Sequence, residues 1–67
     1  MKIFLNNQLT ELPHDHMTVA QLVEWQGLNR ANTAVAINDR LVKQLQWGSR
    51  ELQLHDRVTL ITAAFGG

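Results

Sequence analysis

Apolar and polar residues alternate from the first position. In MKIFLN, Met1, Ile3 and Leu5 stand against Lys2, Phe4 and Asn6. This period of two predicts a strand with one buried face. Asn6-Asn7 tolerates positive φ and suits a tight hairpin turn. QLTEL then alternates again, with Leu9 and Leu12 only roughly in phase. Pro13 has no N–H to give to a ladder, so this second strand is short or lies at an edge.

The period changes in MTVAQLVEWQGL. Thr18 is a good N-cap, Gln21 completes a capping box, and Met17 and Leu22 occupy the hydrophobic staple positions. Val19, Leu22 and Val23 share one helical face, with Gln26 next along it. Gly27 suits the left-handed position that ends a helix, and Leu28 packs back after it. The pattern predicts a helix over 19–26. Alone it is too short to persist in water, so it must lie on a sheet.

TAVAIND predicts a strand with Val35 and Ile37 on one face and small alanines on the other. Asn38-Asp39 is a turn across which Arg40-Leu41-Val42 pairs back. The stretch 43–50 is irregular, with room for one helical turn before Trp47-Gly48. ELQL is a short strand or extended piece, and His55-Asp56 makes the last turn. RVTLITAAF, rich in β-branched residues, is the strongest strand pattern in the chain. Strict alternation turns Val58 and Leu60 toward the helix and Thr59 and Ile61 away from it. The order is strand, strand, helix, strand, short strand, strand. Pairing strand 58–64 with strand 1–6 lets one helix cover a single apolar face, which is a two-layer α+β domain. Patterning does not give the strand order.

Composition narrows the chemistry. The chain has 67 residues, 45% of them hydrophobic, which is one small folded domain rather than a disordered segment. It has no cysteine, so it offers no disulfide, thiolate metal site or thiol nucleophile. Six basic residues balance six acidic ones and are scattered, leaving no electrostatic footprint for nucleic acid and no polybasic membrane patch. No apolar run has the length of a membrane span or of a signal peptide's apolar region. The expected setting is the cytoplasm, with the protein monomeric when free.

The end of the chain is unusual. A strand pattern runs directly into Phe65-Gly66-Gly67, with no charged residue after Arg57. Two glycines can end a chain by chance. Their size also has a chemical use. Glycine has no Cβ, so Gly66 and Gly67 allow close backbone approach in a narrow channel, and Ala63-Ala64 continue this slimness. A side chain at position 67 would crowd a carbonyl under attack.

Taken together, the opening hairpin, the helix begun by Thr18-Val19, the AVAIN strand, the Leu54-His55-Asp56-Arg57-Val58 approach and the final Gly66-Gly67 resemble the ThiS family. These are small sulfur carriers of thiamin biosynthesis with a ubiquitin-like β-grasp fold. The resemblance covers the whole chain and its length. One departure is a turn: the family often has Asp-Gly-Asp before its last strand, and the glycine is missing here. The resemblance implies a mixed sheet of four to five strands in order 2-1-5-3-4, with strands 1 and 5 parallel at its centre and one helix on one face. It implies a single domain, 1–67, with 63–67 as a flexible tail. It implies that a ThiF-like adenylyltransferase uses ATP to activate the Gly67 carboxylate. A persulfide donor would then convert it to a thiocarboxylate, and thiazole synthase would take the sulfur. On this reading the chain is a carrier rather than an enzyme, binds no cofactor stably, and offers Ala64, Phe65 and Gly66 as the slender access to Gly67.

For partner docking, alternation puts Phe4, Thr59 and Ile61 on the outer sheet face beside the tail, with Phe65 exposed as well. Converging apolar residues make an interface anchor, although single exposed apolar residues are ordinary. Trp25 and Trp47 are expected to cover the ends of a small core. His14-Asp15-His16 lacks a third fixed ligand, so no metal site is expected. His55-Asp56 resembles a base held by a carboxylate, but no nucleophile accompanies it. Three alternatives remain: the small subunit of molybdopterin synthase, usually longer; a modifier joined to lysines; and an interaction module with an inert tail.

Overall fold

The computed structural model describes residues 1–63. Its elements are β1 (Lys2–Leu5), β2 (Gln8–Glu11), α1 (Val19–Trp25), a 3-10 turn (Arg30–Asn32), β3 (Thr33–Ile37), β4 (Arg40–Val42), a second 3-10 turn (Gln44–Gln46) and β5 (Arg57–Thr62). The five strands form one sheet in the order β2-β1-β5-β3-β4. β1 and β5 run parallel at its centre, and the other neighbours are antiparallel.

Local chemistry makes both hairpins. Asn6 and Asn7 have φ of 49° and 66°, and Asn38 and Asp39 have 51° and 68°. Each pair is a two-residue loop with both residues left-handed, the turn whose twist matches the flanking strands. The fifth such residue is His55, at φ 64°, where the ThiS pattern often has glycine. The turn therefore closes without glycine, held by His55 N–H donating to the Lys2 carbonyl at 2.7 Å. It carries the steric cost of a side chain in the left-handed region. His55→Val, β-branched and least suited to that φ, should lower unfolding free energy by about 1–2 kcal/mol. His55→Gly should leave it unchanged or higher. Urea denaturation of the two variants checks the pair.

α1 begins as its sequence dictates. Thr18 Oγ1 accepts from Gln21 N–H at 3.2 Å, and Gln21 Oε1 accepts from Thr18 N–H at 2.9 Å. Two further N–H groups of its first turn, those of Val19 and Ala20, donate to the carbonyls of Arg50 and Trp47. The irregular stretch after β4 thus completes the cap of the helix. Gly27, at φ 69°, ends it.

One core joins Val19, Leu22 and Val23 of α1 to Ile3, Val35, Ile37, Val42 and Val58 of the sheet. Leu12, Met17 and Leu52 join it from the connections. Trp47 differs from the expectation of a partial cover at the edge. It is 1% exposed and belongs to the core itself. Its Nε1–H donates to the Val42 carbonyl at 2.9 Å, which satisfies the polar atom of a buried indole. Trp25, in contrast, is 44% exposed at the end of α1. No helix among the described residues is long and apolar enough to cross a membrane.

Candidate functional site

The helix covers one face of the sheet, and among the described residues no element covers the opposite face. Alternation from buried Ile3 puts Phe4 on that open face, and alternation from buried Val58 puts Thr59 and Ile61 there. All three are exposed, Ile61 at 58%. Register sets their spacing. Phe4 is level with Arg57 on one side and with Leu9 on the other. Thr59 is level with Ala36, and Ile61 with Ala34. The face is therefore a stripe. Ile61 stands four residues beyond the Phe4 level, about 13 Å along the strand. Ile61 and Thr59 lie toward the end of β5, whereas Phe4 packs near the His55 ring at a centroid distance of 6.1 Å.

Two apolar residues of this face were not anticipated. Leu9 extends the row of Phe4, and Leu41, opposite Ala36, extends the row of Thr59; both are more than half exposed. Counting back from Leu12 and Val42, each buried, by an odd number of positions gives the outward parity of both. The alanines at 34 and 36, on β3, leave a low row between β5 and the edge strand β4.

β5 continues toward the tail. The Asn6-Asn7 turn ends β1 one residue beyond Leu5, so β1 stops while β5 goes on. Asn6 bridges the step: its N–H donates to the Val58 carbonyl and its Oδ1 accepts from Leu60 N–H, both at 2.9 Å. On the other edge Ala63, expected as the first tail residue, is hydrogen-bonded to Asn32. The sites assigned to Ala64, Phe65, Gly66 and Gly67 lie outside the described residues.

The remaining polar candidates serve the fold. The Asp56 carboxylate accepts from Gln53 N–H at 2.7 Å and from Asn38 Nδ2 at 3.2 Å, so its partners are its own turn and the β3–β4 loop rather than His55. Asp15 lies 3.6 Å from the α-ammonium of Met1. A 3.0 Å hydrogen bond to Glu11 holds that ammonium's pKa above its ordinary value of 8.0. Among the described residues, no three His, Asp or Glu side chains come together in a metal-binding arrangement.

A five-stranded mixed sheet in this order, with parallel central strands and one helix across one face, defines a β-grasp domain of the ubiquitin-like class. The chain belongs to the ThiS family, whose model matches residues 3–67. It is similar to the crystal structure of the thiamine biosynthesis protein ThiS from Geobacter metallireducens, with a TM-score of 0.84 and 16% identity over 100% of both chains. It is also similar to the solution structure of a thiamine biosynthesis protein from the same organism. There the TM-score is 0.85 and the identity 16%, over 100% of this chain and 88% of the other. No curated protein matches the sequence at a significant level.

Proposed function

We propose that this chain is a cytoplasmic sulfur carrier of thiamin biosynthesis whose reactive group is the Gly67 carboxylate. A carboxylate is a poor electrophile, so the first step is activation. A ThiF-like adenylyltransferase joins a Gly67 carboxylate oxygen to the α-phosphorus of ATP and releases pyrophosphate. The terminal sulfur of a persulfide donor then attacks the carbonyl and expels AMP. Reduction of the resulting S–S bond by a thiol frees the thiocarboxylate, which delivers its sulfur to the substrate of thiazole synthase. The active sites that perform these steps must exclude water from the acyl-adenylate. Gly66, Phe65 and Ala64 carry the carbonyl into them, and glycine at the end leaves the attack trajectory open. The chain itself holds no catalytic residue and acts as a co-substrate.

The observation that carries this reading is the match to the ThiS family through residue 67, which includes the terminal glycines. The geometry of the last strand supports it. β5 rises from the middle of the sheet, bordered by an uncovered apolar face, and leads toward the proposed reactive end. Phe4, Thr59 and Ile61 are the proposed docking residues on that face, joined by Leu9 and Leu41.

The direct test is to incubate the protein with the adenylyltransferase, ATP and a persulfide donor and to measure its intact mass. One oxygen should be exchanged for sulfur at the C-terminus; no exchange would leave an inert interaction module as the better reading. A second test separates docking from folding. Ile61→Asp puts a charge into the face, and its partner affinity should fall by about 10- to 100-fold. Because Ile61 is 58% exposed, the melting temperature should stay within about 4 °C of the parent. A large loss of stability would make Ile61 a core residue and remove it from the docking surface.

A further inference from the structure

The carrier reading concerns the last residues, but the point from which they depart is set by a residue far away in sequence. Asn32 closes the first 3-10 turn, immediately before β3. Its carbonyl accepts from Ala63 N–H at 2.9 Å. Its side-chain Nδ2 donates to the Ala63 carbonyl at 3.2 Å. Both main-chain polar groups of Ala63 are thus fastened to one residue.

That residue is itself well supported. Asn29 Oδ1 accepts from Ala31 N–H at 2.9 Å, and Thr33 Oγ1 donates to the Asn29 carbonyl at 2.6 Å. Gln44 Nε2 donates to the Arg30 carbonyl. The Arg30 guanidinium stands 5.4 Å from the ring centre of buried Trp47. The clamp on Ala63 is therefore anchored, through the turn, to the largest side chain of the core.

We infer that Asn32 is a positioning residue for the chemistry at Gly67, an inference that rests on the carrier reading. It fastens Ala63, from which four residues lead to Gly67. From Ala63, residues 64–67 can reach at most about 13–14 Å from the domain. The clamp thus bounds how far from the domain the carboxylate can be presented. Without the side-chain bond, Ala63 is held by one contact instead of two, and the strand end opens more often. A partner must then order more chain on binding, which weakens binding. Once bound, the tail occupies the same channel, so the chemical step is unchanged.

The test uses Asn32→Asp and Asn32→Ala in the 67-residue chain. The first keeps the shape but turns a carboxylate oxygen toward the Ala63 carbonyl in place of a donor. The second removes the side chain and carries the test should the first fail to fold. Asn38→Gly is the control. It removes the side-chain bonds to Arg57 N–H and Asp56 at the opposite end of β5, at a left-handed position that glycine accepts. The readouts are ATP–pyrophosphate exchange by a ThiF-like adenylyltransferase, with the chain as varied substrate, and amide hydrogen exchange at Ala63.

Both Asn32 variants should raise KM by about 3- to 10-fold with kcat unchanged, and should speed Ala63 exchange by a similar factor. Asn38→Gly should lose stability without moving KM. The inference is overturned if Ala63 exchange quickens while KM stays fixed, if Ala63 exchange does not change, or if the control raises KM equally. A parent chain that supports no pyrophosphate exchange overturns the carrier reading and this inference with it. A parent that turns over, matched by its Asn32 variants, overturns only the role of Asn32.

Discussion

Deleting Gly67 should reduce thiocarboxylate formation at least about 100-fold, with the folded body intact. The reason is reach. Removing one residue draws the terminal carboxylate back by up to about 3.3–3.6 Å. Acyl transfer tolerates far less, since a misplacement of about 1 Å can cost a factor of about 100. Gly66 would still supply a carboxylate and a small α-carbon, so chemical identity is preserved and only position changes. Gly67→Ala probes the complementary requirement. It keeps the reach and adds a Cβ beside the carbonyl, so its conversion should also fall steeply. The core extends from Ile3 to Val58 and is complete without the last residue. Circular dichroism and thermal melting of both variants should therefore match the parent, while intact mass after incubation with adenylyltransferase, ATP and persulfide donor reads the loss. Normal sulfur loading of the shortened chain would refute the proposed function.

Trp47→Ala should leave the domain largely unfolded at room temperature. Truncating a buried aromatic residue costs about 3–5 kcal/mol. A single core in a chain of this size rarely supplies more than about 3–5 kcal/mol in total. Trp47 is also more than volume. Its indole N–H pairs with the Val42 carbonyl, its own carbonyl accepts from Ala20 N–H in the first turn of α1, and Arg30 lies over its ring. Losing the side chain opens a cavity between the helix and the end of β4 and removes the support of the turn that carries Asn32. Trp47→Phe should be milder, since it keeps much of the volume and loses one hydrogen bond, that to the Val42 carbonyl, worth about 0.5–1.5 kcal/mol. Guanidinium denaturation monitored by circular dichroism gives both values. A folded, cooperative Trp47→Ala domain would contradict the central place given to this residue.

Much of the architecture was legible in sequence because it is written in short-range terms. The two asparagine-rich hairpins needed only residues that accept positive φ. The helix needed only Thr18, Gln21 and a stripe of three apolar residues, and its cap forms as that motif requires. Alternation placed Ile3 and Val58 inside, and Phe4, Thr59 and Ile61 outside. These signals arise within a few residues, where backbone sterics and side-chain period act directly. The resemblance to the ThiS family, rather than patterning, supplied the strand order that the sheet adopts.

Other features depend on distant partners. Trp47 sits in an irregular stretch with no period, so nothing local told its complete burial from the partial exposure of Trp25. Asn32 resembles any polar residue before a strand, and its partner is 31 positions away. The spacing of the outer face depends on the β1–β5 register, which brings Phe4 beside Arg57 rather than beside Ile61.

The sequence by itself determined the hairpins, the helix, the inward and outward parity of the strands and the slender glycine ending. The tertiary structure decided the shape of the open face, the burial of Trp47 and the anchoring of Ala63. The division follows from range. Periodicity and left-handed turns are properties of neighbouring residues, whereas register and closure are fixed only when segments far apart in the chain meet and satisfy one another's hydrogen bonds.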